Sequence, residues 1–235
     1  MTRTPPIAVV TGAGRGIGDA IVTRLRADGW HVIGVDRAFT ESAVDDRLIH
    51  DLARLDTLAA LAARIEALGA PMALVHCAGI ASVGSFADSD PADWRALIDV
   101  NLLAPMAITH ALLPGMIAAG HGAIVGITSE SARVGASGEA AYSASKGGLA
   151  SFLRSLAQEV GRFGITVNAV SPGPVRSPLS DGQPELKARL ARRTPLRRVA
   201  EPEDVAAMVA FLLGRDGAFV TGQTMSVSGG LTMVP

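Results

Sequence analysis

The sequence predicts an α/β fold, a doubly wound parallel sheet with helices on both faces. Three observations lead there. Apolar runs of strand length, such as Ile7-Ala8-Val9-Val10 and Met72-Ala73-Leu74-Val75, alternate with longer stretches of helical period. The first run passes directly into a glycine-rich loop, Thr11-Gly12-Ala13-Gly14-Arg15-Gly16-Ile17-Gly18. The polar residues with chemical potential fall where strands end, and strand–helix alternation gathers such ends into one crevice.

Length and composition bound the reading. With 235 residues, no linker and no repeat, the chain can bury a sizeable core and is expected to be a single domain over 1–235. Hydrophobic residues make up 49% and charged ones 18%, with a formal net charge of −1, so neither nucleic acid nor an anionic membrane is implied as a partner. No apolar stretch reads as long enough to cross a membrane, and the first residues lack the hydrophobic region of a signal peptide, so a cytoplasmic location is expected. Cys77 is the one cysteine, which excludes an internal disulfide and a cysteine-rich metal site; small core packing is its expected role. No residues show metal-ligand spacing.

Taken in order, the glycine loop after the first strand opens a helix through Ile21, Val22 and Leu25. Glycines permit a tight turn and close backbone approach, and a helix amino terminus presents free amides to a pyrophosphate. The next strand, His31-Val32-Ile33-Gly34-Val35, ends at Asp36, eighteen residues beyond Gly18. A carboxylate at that spacing accepts from ribose hydroxyls and repels a 2′-phosphate, which favours NAD over NADP. Arg15 and Arg37 pull the other way, since either can pair with a phosphate. Leu48-Ile49-His50 reads as a short strand closed by Asp51, followed by a helix with Leu55, Leu58, Leu61, Ile65 and Leu68 on its buried face.

The strand at Met72–Val75 runs into His76-Cys77-Ala78-Gly79, where small residues again let a ligand approach the backbone. His76 has no second histidine at metal spacing and is assigned no chemistry. Pro91 and Trp94 open a long helix carrying Asn101 among apolar neighbours, where an amide either braces the backbone or joins a polar network. Ala123 to Thr128 is the next strand, with Ser129 at its carboxyl end. Ile165 to Val170 leads to a rigid turn at Ser171-Pro172-Gly173-Pro174, and a helix from Pro202 to Leu213 and a strand near Met225-Ser226-Val227 complete the chain.

The chemistry centres on Tyr142-Ser143-Ala144-Ser145-Lys146. On a helix, residues four apart lie on one face, so the Tyr142 phenol and the Lys146 ammonium can point into one cleft. A nearby cation is expected to lower the phenol's pKa and suit it to proton transfer with an alcohol oxygen. Tyr142 is the only tyrosine and Lys146 one of two lysines. Ser129 can hydrogen-bond the same oxygen.

These motifs resemble those of the short-chain dehydrogenase/reductase family, over about Ile7 to Met233. The resemblance implies a Rossmann-type domain with Asn101, Ser129, Tyr142 and Lys146 as a catalytic tetrad. It implies a nicotinamide cofactor held by Thr11, Gly12, Arg15, Gly16, Ile17 and Gly18 in the loop, by Asp36 and Arg37, and by Asp51 and Leu52 near the adenine. Cys77, Ala78, Gly79, Tyr142 and Lys146, then Pro172, Gly173, Val175 and Ser177, complete that set. His76-Cys77 departs from the family's usual pair of asparagines. The implied reaction is hydride transfer between a secondary alcohol or ketone, cyclic or acyl-linked, and NAD, with Asn101 anchoring a water relay. Reduction of a 3-oxoacyl thioester is the alternative, and a nucleotide-binding scaffold without turnover is the reading from another class.

The resemblance also implies a homo-oligomer, a tetramer. The segment from Val175 to Ala200 suits a mobile lid over the substrate. It holds seven basic residues, Arg176, Lys187, Arg189, Arg192, Arg193, Arg197 and Arg198, against Asp181 and Glu185. Such a rim would favour an anionic substrate, a cyclic acid or a CoA ester.

Overall fold

The computed structural model describes residues 4–40, 42–176 and 184–233. Seven parallel strands form one sheet in the order β3-β2-β1-β4-β5-β6-β7. They are β1 Ile7–Thr11, β2 His31–Asp36, β3 Asp46–Ile49, β4 Ala73–His76, β5 Gly122–Ile127, β6 Ile165–Pro172 and β7 Thr224–Val227. The order reverses between β1 and β4, and an open α/β sheet leaves its ligand crevice at that point.

Alternation along each strand divides the core. Ala8, Val10, Ala73, Val75, Ala123 and Val125 point to one face, where α1 (Gly16–Ala27) and α8 (Pro202–Leu213) cover them with Ile21, Leu25, Val205 and Val209. Val9, Leu74, Ile124 and Val167 point to the other, under α2 (Leu58–Leu68), α4 (Ala104–Ala119) and α6 (Ala140–Val160). Both faces of each central strand are buried, which is why these strands read as continuous apolar runs. The remaining helices are α3 (Pro91–Ile98), a short α5 (Ser131–Val134) and α7 (Pro184–Arg193).

Four details depart from the sequence reading. Leu68, assigned to the buried face of α2, is the last residue of that helix and is 40% exposed. β6 runs on to Pro172, since Ser171 and Pro172 pair with Ser226 and Val227 of β7 before the chain turns. The helix opened by Pro91 continues for 29 residues to Ala119 and is long and apolar enough to cross a membrane, against the expectation. Its stripe of Leu97, Ala104, Ile108, Leu112 and Met116 is instead buried within the fold. Between α3 and α4 it forms a π-helical turn, Asp99–Leu103, which no local propensity announces.

Candidate active site

The larger part of the candidate site is a cleft of about 800 Å³ at the β1/β4 reversal. Gly12, Arg15, Gly16, Ile17, Gly18, Asp36, Arg37, Asp51, Leu52, Cys77, Ala78, Gly79 and Val175 line it, as the sequence led one to expect. Val35, His50, Ala53, Ile80, Ala96, Val100 and Arg176 line it as well and were not foreseen. His50 was legible as the residue before Asp51, but nothing local marked it as lining a cleft. Gly12 has φ +70°, and a Cβ there would come within 2.7 Å of the Ala78 backbone, so the two loops close on each other only with glycine.

Thr11 sits beneath the cleft and does not line it. Its hydroxyl accepts from the amides of Cys77 and Ala78, each at 3.2 Å, and fastens the end of β1 to the loop after β4. Asp36 is held at the rim: the Gly14 amide donates to Oδ2 at 2.9 Å and the Arg37 amide to Oδ1 at 2.6 Å. The carboxylate is thus locked onto the glycine loop with lone pairs remaining for ribose hydroxyls.

The chemical half is an adjoining pocket of about 280 Å³ lined by Ser129, Tyr142, Lys146, Pro172 and Gly173. Ile17, Cys77, Gly79, Ile80 and Val175 border both cavities, so the two open into one another. Tyr142 and Lys146 lie one turn apart on α6, with the Ser129 hydroxyl close enough to the Tyr142 phenol to act on its pKa. Ser177 lies outside the described residues.

The expected lowering of the phenol's pKa by Lys146 is not what this arrangement produces. Burial raises Tyr142 above the ordinary phenol value, with the Glu139 carboxylate adding to it and the Ser129 hydroxyl opposing it. Lys146 is directed elsewhere: its Nζ donates to the Ile127 carbonyl at 2.8 Å. Burial brings the ammonium down to about 8, opposed by the nearby Cys77. The Cys77 thiol is pushed up to about 12, chiefly by burial, so it stays protonated; it packs against the core as expected and also borders both cavities.

Asn101, on the π turn and fully buried, braces the site. Its Oδ1 accepts from the Ile80 amide at 2.9 Å, while Nδ2 donates to the Ile80 carbonyl at 2.9 Å and to Ser145 Oγ at 3.0 Å. Of the two roles left open by the sequence, its side chain performs both: it braces Ile80 and joins a polar network through Ser145, whose hydroxyl donates to the Tyr142 carbonyl. A Cβ at Gly79 would lie 3.0 Å from Lys146 Nζ and 3.2 Å from Asn101 Oδ1, so the glycine keeps clear the space over both.

The two ends of the segment expected to form a lid are joined. Val175 and Ala200 form a parallel bridge, with Arg176 N donating to Ala200 O at 2.7 Å and Ala200 N to Pro174 O at 3.0 Å. Its charge is less one-sided than the count suggested. Arg176 pairs with Glu201, and Arg198 binds both oxygens of Asp204, acids that lie just past the segment at the start of α8. Among the described residues no cluster of acidic, histidine or cysteine side chains is placed to hold a metal.

With this geometry in view, the comparisons are direct. The chain belongs to the short-chain dehydrogenase/reductase family: a family model described as enoyl-(acyl carrier protein) reductase matches residues 12–232. It is 34% identical to an acetoacetyl-CoA reductase of Allochromatium vinosum, over 97% of this chain and 98% of the relative. It is 36% identical to a 2,3-dihydroxy-2,3-dihydro-p-cumate dehydrogenase of Pseudomonas putida, over 97% and 95%. A solved short-chain dehydrogenase/reductase family protein superposes with a TM-score of 0.88 at 35% identity, covering 98% of both chains. The protein is an oxidoreductase enzyme of this family, whose members use nicotinamide cofactors.

Proposed function

We propose that this enzyme transfers hydride reversibly between NAD and a cyclic or acyl-linked secondary alcohol. The observation that carries it is the opening of the Ser129–Tyr142–Lys146 pocket into the cleft bordered by Asp36. The cleft fits the cofactor: it combines the α1 amino terminus, a carboxylate braced at the ribose-binding position and an open approach past Gly79. When bound there, the nicotinamide accepts or supplies the hydride. Ser129 donates a hydrogen bond to the substrate oxygen, and Tyr142 moves the proton at its Oη. Lys146 holds positive charge beside the reacting oxygens, anchored by the Ile127 carbonyl. Asn101 fixes Ile80, which borders both cavities.

NAD is preferred to NADP in this reading because a 2′-phosphate would meet the Asp36 carboxylate. A second reading, reduction of a 3-oxoacyl thioester, is favoured by the full-length similarity to an acetoacetyl-CoA reductase. The two separate in an assay of NADH and NADPH oxidation with acetoacetyl-CoA, beside NAD reduction with a cyclic cis-dihydrodiol. Turnover of the diol with NAD supports the cyclic form of the first reading and thioester turnover confined to NADH its acyl-linked form; thioester turnover that prefers NADPH supports the second, and none with either overturns both.

We also propose a homo-oligomer, a tetramer. Leu103 and Met106, three residues apart on the long helix, are 37% and 38% exposed, and Phe219 is fully exposed. Light scattering that gives a monomer mass at micromolar concentration would refute it.

A further inference from the structure

Ser131 has no assigned role, yet it touches the catalytic serine twice. Its amide donates to Ser129 Oγ at 3.2 Å, and its own Oγ lies 2.9 Å from the same atom. Ser131 is 8% exposed and, unlike Ser129, does not line the pocket, so it stands behind the serine that does. The short α5 holds it there: Ala132 N donates to Ser129 O at 3.0 Å and Arg133 N to Glu130 O at 2.9 Å.

A serine hydroxyl has one proton and two lone pairs. The Ser131 amide fills one lone pair of Ser129 permanently. The bond between the two hydroxyls can run either way in isolation. It is decided when a negative oxygen, the Tyr142 phenolate or the substrate's developing alkoxide, sits in the pocket. A hydrogen bond to a charged acceptor is about twice as strong as a neutral one, so the Ser129 proton turns to that oxygen. The Ser131 hydroxyl then donates into the second lone pair.

We propose that Ser131 is a positioning residue that commits Ser129 to donate whenever the pocket holds a negative oxygen. With both lone pairs filled, Ser129 keeps only its proton for the oxygen that carries charge. Donation from Ser131 also polarises the Ser129 hydroxyl and strengthens its outgoing bond, by about 10–30% in cooperative chains. The proposal rests on the hydride-transfer reading for its kinetic consequence, but its effect on Tyr142 does not depend on substrate.

Tyr142 is the chain's only tyrosine, so its ionisation is read directly from the ultraviolet absorbance of tyrosinate as pH is raised. The groups facing it are Glu139 before it, Lys146 one turn on, and Ser129 and Cys77 across the pocket, all unchanged in the Ser131 variants. In Ser131→Ala the hydroxyl that donates to Ser129 is lost, so the phenolate is left with a less polarised donor. The Tyr142 midpoint should therefore rise, by less than in Ser129→Ala. Turnover of acetoacetyl-CoA or the cis-dihydrodiol, whichever the native enzyme accepts, should fall about 2- to 10-fold with KM little changed, the worth of one hydrogen bond. Ser131→Thr keeps the hydroxyl and should restore both. If the alanine variant does not fold, Ser131→Cys, a weaker donor, must shift the midpoint the same way. An unchanged midpoint in a folded alanine or cysteine variant overturns the proposal, as does failure of folded Ser131→Thr to restore it. If the midpoint shifts as expected but the native enzyme turns over neither probe, the proposed function fails and the role of Ser131 stands.

Discussion

Lys146 Nζ donates to the Ile127 carbonyl at 2.8 Å, which fixes the buried ammonium to the carboxyl end of β5, one helical turn from Tyr142. The site therefore keeps a cation in a place where burial opposes it.

That opposition is measurable. The Lys146 pKa is about 8 in the folded chain against 10.5 when unperturbed, so between these values the unfolded chain binds more protons and stability rises with pH. At pH 7 the charge is held at a cost. Lys146→Met should thus melt no lower than the native protein at pH 7, while losing at least ~100-fold in turnover. Calorimetry beside a rate assay checks this; a variant that melts several degrees lower and keeps full turnover contradicts it.

Asp36 should set cofactor choice. Titration of the native protein should give tighter binding of NADH than of NADPH, and Asp36→Ala should narrow the gap by removing like-charge repulsion. The alanine also strips the acceptor from the Gly14 and Arg37 amides, so NADH affinity itself should fall. Equal dissociation constants in the native protein would sink the account of Asp36.

His76 should make the fold acid-sensitive. It is buried at the end of β4, its Nε2 2.8 Å from Thr109 Oγ1, and no hydrogen-bond partner meets its Nδ1. Burial, with Lys146 nearby, brings its pKa down to about 3 from 6.5. The folded state thus excludes a proton that the unfolded chain takes up below pH 6.5. Stability from this group is complete above 6.5 and is lost as pH falls toward 3, on the order of 3 kcal/mol by pH 4. The melting temperature of His76→Asn should fall less between pH 7 and 4 than that of the native protein. Parallel curves would show that His76 is not the acid-sensitive group.

The sheet and the cofactor cleft were legible because their signals are local: apolar runs, a glycine loop and Asp36 at a fixed spacing. Tyr142 and Lys146 were legible for the same reason, four residues apart on one helix face. The rest depended on residues distant in the chain. The partner of Lys146 is a backbone carbonyl nineteen residues away, and the amide of Asn101 is satisfied by Ile80 and Ser145 through a π turn. The charge balance of the segment from Val175 to Ala200 is not legible from its own residues, because Glu201 and Asp204, which engage Arg176 and Arg198, follow it in the chain. The direction of the Tyr142 shift was missed because burial, which spacing does not reveal, outweighs what the sequence suggested for Lys146.

The central claim is that Tyr142 Oη carries the proton of a hydride-transfer reaction. Tyr142→Phe removes that oxygen and keeps the ring, so the most direct measurement is the rate of nicotinamide oxidation or reduction by this variant beside NADH binding by titration. The account expects a fall in turnover of at least ~100-fold with NADH affinity nearly unchanged. Turnover near the native rate in a variant that still binds NADH would contradict it.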